Sequence, residues 1–191
     1  MKRFWIGLIV GVLLLPLLFV AYALSGLMPA AAADHPMPFE AWIAGAGLFA
    51  RIKREAPTRD VSGMTTADLV SGADVYQKNC AGCHGLPNQP APAISKGMFP
   101  PPPQLFTKDG EVTDDPAGVT YWMVNNGIRL TGMPGFRTSL LDQQMWQVTA
   151  LVHRADKLPQ EALDALKPAP PVLLITAGAA NPAASQPQPT K

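Results

Sequence analysis

The sequence predicts an all-α protein: a small helical domain preceded by a membrane-crossing helix and followed by a disordered tail. Three observations carry that prediction. After Lys2 and Arg3, residues 4–33 hold no charge until Asp34. Apolar residues then recur at helical spacing in several segments, and none shows the sustained alternation of a half-buried strand. The 21 prolines among 191 residues are about twice the usual share and crowd between those segments and near the C-terminal end. Composition also excludes some functions. With 15 Lys+Arg against 14 Asp+Glu the chain lacks the basic excess of a nucleic-acid binder. Two cysteines are too few for a disulfide-dense scaffold or a four-thiolate site.

Residues 1–33 come first. Phe4 to Leu24 is almost wholly apolar, and about 20 such residues cross the hydrocarbon core. A cleavable leader usually has an apolar stretch of only about 7–15 residues. Length therefore favours a retained anchor. The rival is a cleaved signal peptide, supported by the small-x-small sites Ala21-Tyr22-Ala23 and Ala31-Ala32-Ala33. Both readings export the rest of the chain, and Lys2 and Arg3 mark the cytoplasmic end. Residues 34–60 form a connector. Pro36 and Pro38 stop the first helix, and Phe39, Trp42, Ala46 and Phe49 make a helical stripe followed by Arg51, Lys53, Arg54 and Arg59. This helix either lies on the membrane surface or packs as a spacer on the domain.

Residues 61–160 are the expected domain. Residues 65–80 read as a helix capped by Thr65 or Thr66, with Asp68 in its first turn. Leu69, Gly72, Val75, Tyr76 and Cys80 share a face. Residues 85–118 are mostly irregular, because the run Pro100 to Pro103 fits neither helix nor central strand. Residues 117–127 read as a short helix ended by Gly127. Residues 140–154 read as another, with Asp142 as its cap and Leu141, Met145, Val148 and Val152 on its face. Residues 161–191 are expected as a Pro/Ala-rich tail, in which 168–191 carry one charge and are disordered by composition.

Both cysteines fall in Cys80-Ala81-Gly82-Cys83-His84, the attachment motif of a c-type haem. Thiols at i and i+3 reach the two vinyl groups of one porphyrin, and the next residue is held under the iron. The other uses of a CxxC pair fit poorly. A thioredoxin-like pair needs a βαβ setting. A zinc site needs further ligands, and His35 and His153 stand at no zinc spacing. A disulfide closing four residues constrains little. One covalent haem is therefore expected on Cys80 and Cys83, with His84 as proximal ligand.

The sixth ligand is sought among Met64, Met98, Met123, Met133, Met145 and Met37. Met123 and Met145 sit in helical stripes and read as packing. Met98, 14 residues past His84, reads as too close to cross the ring. Met133 stands in Thr131-Gly132-Met133-Pro134-Gly135, a loop whose Gly and Pro let backbone run close to a flat macrocycle. It is the expected distal ligand. His153 is the runner-up.

CxxCH after a Gly-x-x-x-Tyr helix, a TGMP loop and a closing helix with Trp resemble the class I cytochromes c, more narrowly bacterial membrane-anchored monohaem cytochromes c. The resemblance covers about residues 66–155. It implies a small cytochrome c fold wrapped around one covalent haem. It implies that Gly72 and Tyr76 meet the last helix at Trp146 and Ala150, and that a proline carbonyl, from Pro90 or Pro92, holds the second ring nitrogen of His84. Arg129 is read either as a haem propionate's partner or as an exposed loop charge, and Trp122 and Tyr121 as propionate donors or packing on the haem.

The function expected from these readings is one-electron transfer, as a membrane-tethered carrier in a bacterial respiratory chain. The alternative is the cytochrome c subunit of a larger oxidase or dehydrogenase complex. His/Met ligation leaves no open iron position, so no small-molecule substrate and no enzymatic activity of its own are expected. Leu105, Phe106, Phe99, Phe136 and Leu141 are expected to keep water from the porphyrin. Redox partner proteins would dock at the haem edge near Cys83. Residues 61–167 carry 8 Lys+Arg and 10 Asp+Glu, a net of −2, so strong steering is not expected. The haem domain is placed in the periplasm, on the inner membrane if the anchor stays and soluble if it is cleaved.

Overall fold

The computed structural model describes residues 1–107 and 111–167. Among them the regular structure is helical throughout: α1 Lys2–Leu24, α2 Glu40–Glu55, α3 Thr66–Asn79, α4 Ala81–His84, α5 Ala117–Asn126, α6 Asp142–His153 and α7 Gln160–Ala165, with short 3₁₀ turns at Ala93–Gly97 and Glu111–Thr113. No strand occurs among the described residues. The expected disordered tail, 168–191, lies outside them.

α1 is 23 residues long and buries none of them. An apolar helix that buries none of its residues against the described chain has the composition and length of one whose solvent is lipid. Pro16 sits inside it, as membrane helices tolerate.

α3 and α6 form the centre. α3 begins at a reciprocal cap: Asp68 N donates to Thr65 Oγ1 and Thr65 N donates to Asp68 Oδ2. Of the two threonines offered by the sequence, Thr65 is therefore the cap. Every residue of α6 from Met145 to Val152 is buried, because α3 covers one side and α5 another. The crossing with α3 occurs at Gly72. A Cβ there would stand 2.3 Å from the Gln147 carbonyl oxygen and 3.2 Å from Val148 N, so only glycine allows the two backbones this close. Tyr76 and Ala150 are fully buried beside it, each large side chain at this contact contributing about 2 kcal/mol by burial. Gln147 Nε2 crosses back to Asp68 Oδ1, 3.0 Å, closing the polar edge of the crossing.

Three expectations change. Asp142 does not cap α6; it is the first helical residue and accepts the Tyr121 hydroxyl, while Leu141 N is satisfied by Gln144 Oε1. Leu141 is 71% exposed rather than on the core face, since it lies one residue before the helix and outside its period. The helical body also continues past residue 160, where the tail was expected to begin. Ala162 and Leu166 are buried, and Gln77 Nε2 donates to the carbonyls of Ala165 and Lys167, fastening α7 along α3. Arg154, just past α6, donates to the Val61, Ser62 and Met64 carbonyls and pins the strap that enters α3.

Candidate haem site

The end of α3 runs directly into α4. Cys83 N and His84 N both donate to the Cys80 carbonyl, so CxxCH is wound as one helical turn. Residues at i, i+3 and i+4 of a turn share a face. Cys80, Cys83 and His84 accordingly line one cavity. Gly85 ends the turn at φ +73, and the Tyr76 hydroxyl donates to its carbonyl at 2.8 Å, tying the turn to the helix crossing.

His84 Nδ1 lies 2.8 Å from the Pro103 carbonyl oxygen. A carbonyl can only accept, so Nδ1 carries the hydrogen and Nε2 keeps its lone pair. Burial holds the imidazole below its ordinary pKa, against the pull of that carbonyl. The supporting carbonyl was expected from Pro90 or Pro92; it comes from the last member of the four-proline run instead. Chain folding between residues 85 and 103 decides that choice, and the run itself was the only signal. The Cys80 thiol is pushed up to about 12, first by burial and then by Cys83. It stays protonated at neutral pH, which disfavours a reactive thiolate pair. Neither cysteine is in a disulfide.

Met133 lines the same cavity. Its loop is stitched to the end of α5 by backbone bonds: Ile128 N donates to the Met133 carbonyl and Phe136 N to the Val124 carbonyl. Gly127, at φ +70, lies so close to this loop that a Cβ would stand 2.5 Å from Gly135 N. Thr131 Oγ1 donates to the Ile128 carbonyl and accepts from Met133 N, fixing the backbone at the methionine itself.

Met98 and Met123 also reach this cavity. Fourteen residues from His84 is thus far enough for Met98 to reach it, because the irregular 85–103 segment curls round rather than running straight. The Met98 methyl occupies the space a side chain on Gly132 would need, 1.9 Å from the ideal Cβ position. Leu105 and Phe136 line the cavity as expected, joined by Val112, Val124, Val148 and Val152. Phe106 packs edge-on against Tyr76, 5.0 Å between centroids, while Phe99 is 40% exposed and Leu141 lies outside.

Two expected site residues are not brought to the cavity. Trp122 is half-buried and its ring N–H donates to Glu55 Oε2, 3.2 Å, so its polar edge serves the contact with α2. Arg129 is exposed and off the cavity wall. Tyr121 stacks on Trp146, 4.1 Å between centroids, with the Arg59 guanidinium 4.8 Å from the Trp146 ring, and its hydroxyl goes to Asp142. His153 lies outside the cavity as well.

The donor set fits a haem. Two thiols, an imidazole with a free ring nitrogen and thioether sulfurs stand on otherwise apolar walls, which suits a flat apolar macrocycle with iron at its centre. Fold and site together define a c-type cytochrome domain that binds haem for electron transfer. Residues 67–152 match the family described as cytochrome C oxidase, cbb3-type, subunit III. No curated protein matches the chain.

Proposed function

We propose that the protein is a one-electron carrier holding a single haem covalently through Cys80 and Cys83, with His84 and Met133 as axial ligands. The observation that carries the reading is the convergence of these four residues on one apolar cavity. When bound, the haem supplies a one-electron iron couple. His84 offers Nε2 because the Pro103 carbonyl takes the Nδ1 hydrogen, and that bond also fixes the ring plane. Met133 is preferred over Met98 and Met123 because its backbone is held on both sides by Thr131 and Ile128, so its thioether is presented with little freedom left to lose. Met123 belongs to α5, and the Met98 methyl is spent against Gly132. The apolar walls would keep water from a bound haem, and His84 and Met133, both holding its iron, would leave no position for substrate.

α1 is read as a retained anchor with Lys2 and Arg3 inside, which puts the haem domain in the periplasm. Redox partner proteins would meet it at the haem edge near Cys83. A second reading has its own support: the matched family is described as an oxidase subunit, and on that reading the chain is the haem subunit of a larger complex.

A pyridine haemochrome spectrum on membrane and soluble fractions tests attachment and anchoring together. Covalent haem in the membrane fraction is expected; none in either fraction would sink the proposal. Met133→Ala is expected to abolish the charge-transfer band of Met-ligated ferric haem, while Met98→Ala and Met123→Ala retain it. Co-purification of further subunits in mild detergent would favour the complex.

A further inference from the structure

α2 is fastened to the helical body at its C-terminal end. Ile52 is 2% exposed. Beyond the helix, Pro57 sits so close to Gly118 of α5 that a Cβ there would stand 1.8 Å from the Pro57 carbonyl oxygen. Glu55 receives the Trp122 ring N–H, and its carboxyl is held low by the Arg51 guanidinium first and by Trp122 after it. The preceding part of the helix is different. Phe39, at its N-cap, is 75% exposed, Trp42 73%, Ile43 62% and Phe49 56%. At about 100° per residue, Trp42, Phe49 and Ile43 fall within an arc of about 120°, and Lys53 falls in the same arc one turn beyond Phe49.

We propose that this face of α2 lies in the head-group region of the membrane that α1 crosses, so that the haem domain is seated on the bilayer rather than swinging on a tether. The inference rests on the anchor reading of α1. Residues 25–39 alone separate α1, which buries none of its residues, from α2, so the chain returns to structure close to the membrane surface. A stripe of Trp, Phe and Ile bordered by cations is the composition of a helix lying in an interface, where indole prefers the head-group level. Lys53 and Arg54 at the C-terminal end complement anionic lipid. Because Ile52, Glu55 and Pro57 clamp the other side to the body, immersion of this face sets the height and tilt of the haem cavity.

The test uses the full chain in vesicles of phosphatidylethanolamine and phosphatidylglycerol. Ile43→Cys, Phe49→Cys and, as an aqueous control, Ser71→Cys each receive a nitroxide label, and collisions with oxygen and with a nickel chelate are compared. Oxygen is expected to dominate at 43 and 49 and nickel at 71. Nickel dominance at 43 and 49 would overturn the proposal. So would dipolar broadening between labels without oxygen access, which would assign the face to a second copy. Thioether-bound Cys80 and Cys83 take no label, so excess labelling exposes failure of the haem reading separately. Intact mass shows whether residues 1–33 are retained. Their loss would refute the anchor reading on which the proposal rests, a failure distinct from nickel dominance at 43 and 49 in a chain that retains them.

Discussion

Replacing Gly72 by alanine tests whether the α3–α6 crossing sets the stability of the domain. The added Cβ would lie 2.3 Å from Gln147 O and 2.7 Å from Gln147 C. Ordinary contact begins near 3.4 Å, so the helices must part by about 1 Å. The opposing atoms are backbone within a helix whose residues 145–152 are all buried, so no side chain can swing aside. Overpacking of this kind costs up to about 3 kcal/mol. Alanine returns about 1 kcal/mol of helix propensity. The difference, about 2 kcal/mol of destabilisation, corresponds to roughly 8–16 °C in Tm for a domain near 100 residues. The assay is a thermal melt of the haem-loaded chain in detergent, followed by far-ultraviolet circular dichroism. Gly47→Ala in α2 is the control, because nothing lies within 4 Å of its Cβ position; it should melt at or slightly above the parent temperature. A Gly72→Ala form melting with Gly47→Ala would refute the reasoning.

Thr131→Val should loosen the Met133 loop by removing the acceptor of Met133 N and the donor to Ile128 O. The expected cost is about 1–2 kcal/mol, read as a lower denaturant midpoint for loss of the Met-ligation band than for loss of helix. Asp68 is held below the usual carboxylate range by Gln147 first and Thr65 next. Its folded pKa is depressed, so its contribution is whole above about pH 4 and disappears as pH falls through the folded value. Asp68→Asn should therefore cost about 1 kcal/mol at neutral pH and flatten the acid limb of a stability–pH curve; an unchanged acid limb would count against the bonds. Cys80→Ala/Cys83→Ala should leave a weakly structured chain, since the haem supplies apolar mass that a helical body of this size lacks. A cooperative melt near the parent temperature would contradict this.

Much of the fold was legible because the signals are local. The helices at 65–80, 117–127 and 140–154 are observed within two residues of their expected ends, since caps, glycine stops and apolar period act over a turn. That Cys80, Cys83 and His84 line one cavity was legible because they lie within five consecutive residues. Pro103 was not, because it stands nineteen positions along the chain from His84, and no apolar periodicity governs where the segment between them curls. Trp122 and Leu141 were misassigned for a related reason: local sequence shows that a side chain is large and apolar, not which neighbour arrives to meet it.

By itself, the sequence determined an all-α c-type cytochrome domain behind an apolar N-terminal helix, because motif spacing and helical period are properties of neighbouring residues. Only the tertiary structure decided that Pro103 holds His84, that Trp122 serves Glu55 and that α7 completes the body. It also decided that Met98, Met123 and Met133 share one cavity. Those choices depend on contacts between segments distant in the chain, where close packing admits one arrangement and no local rule names the partner.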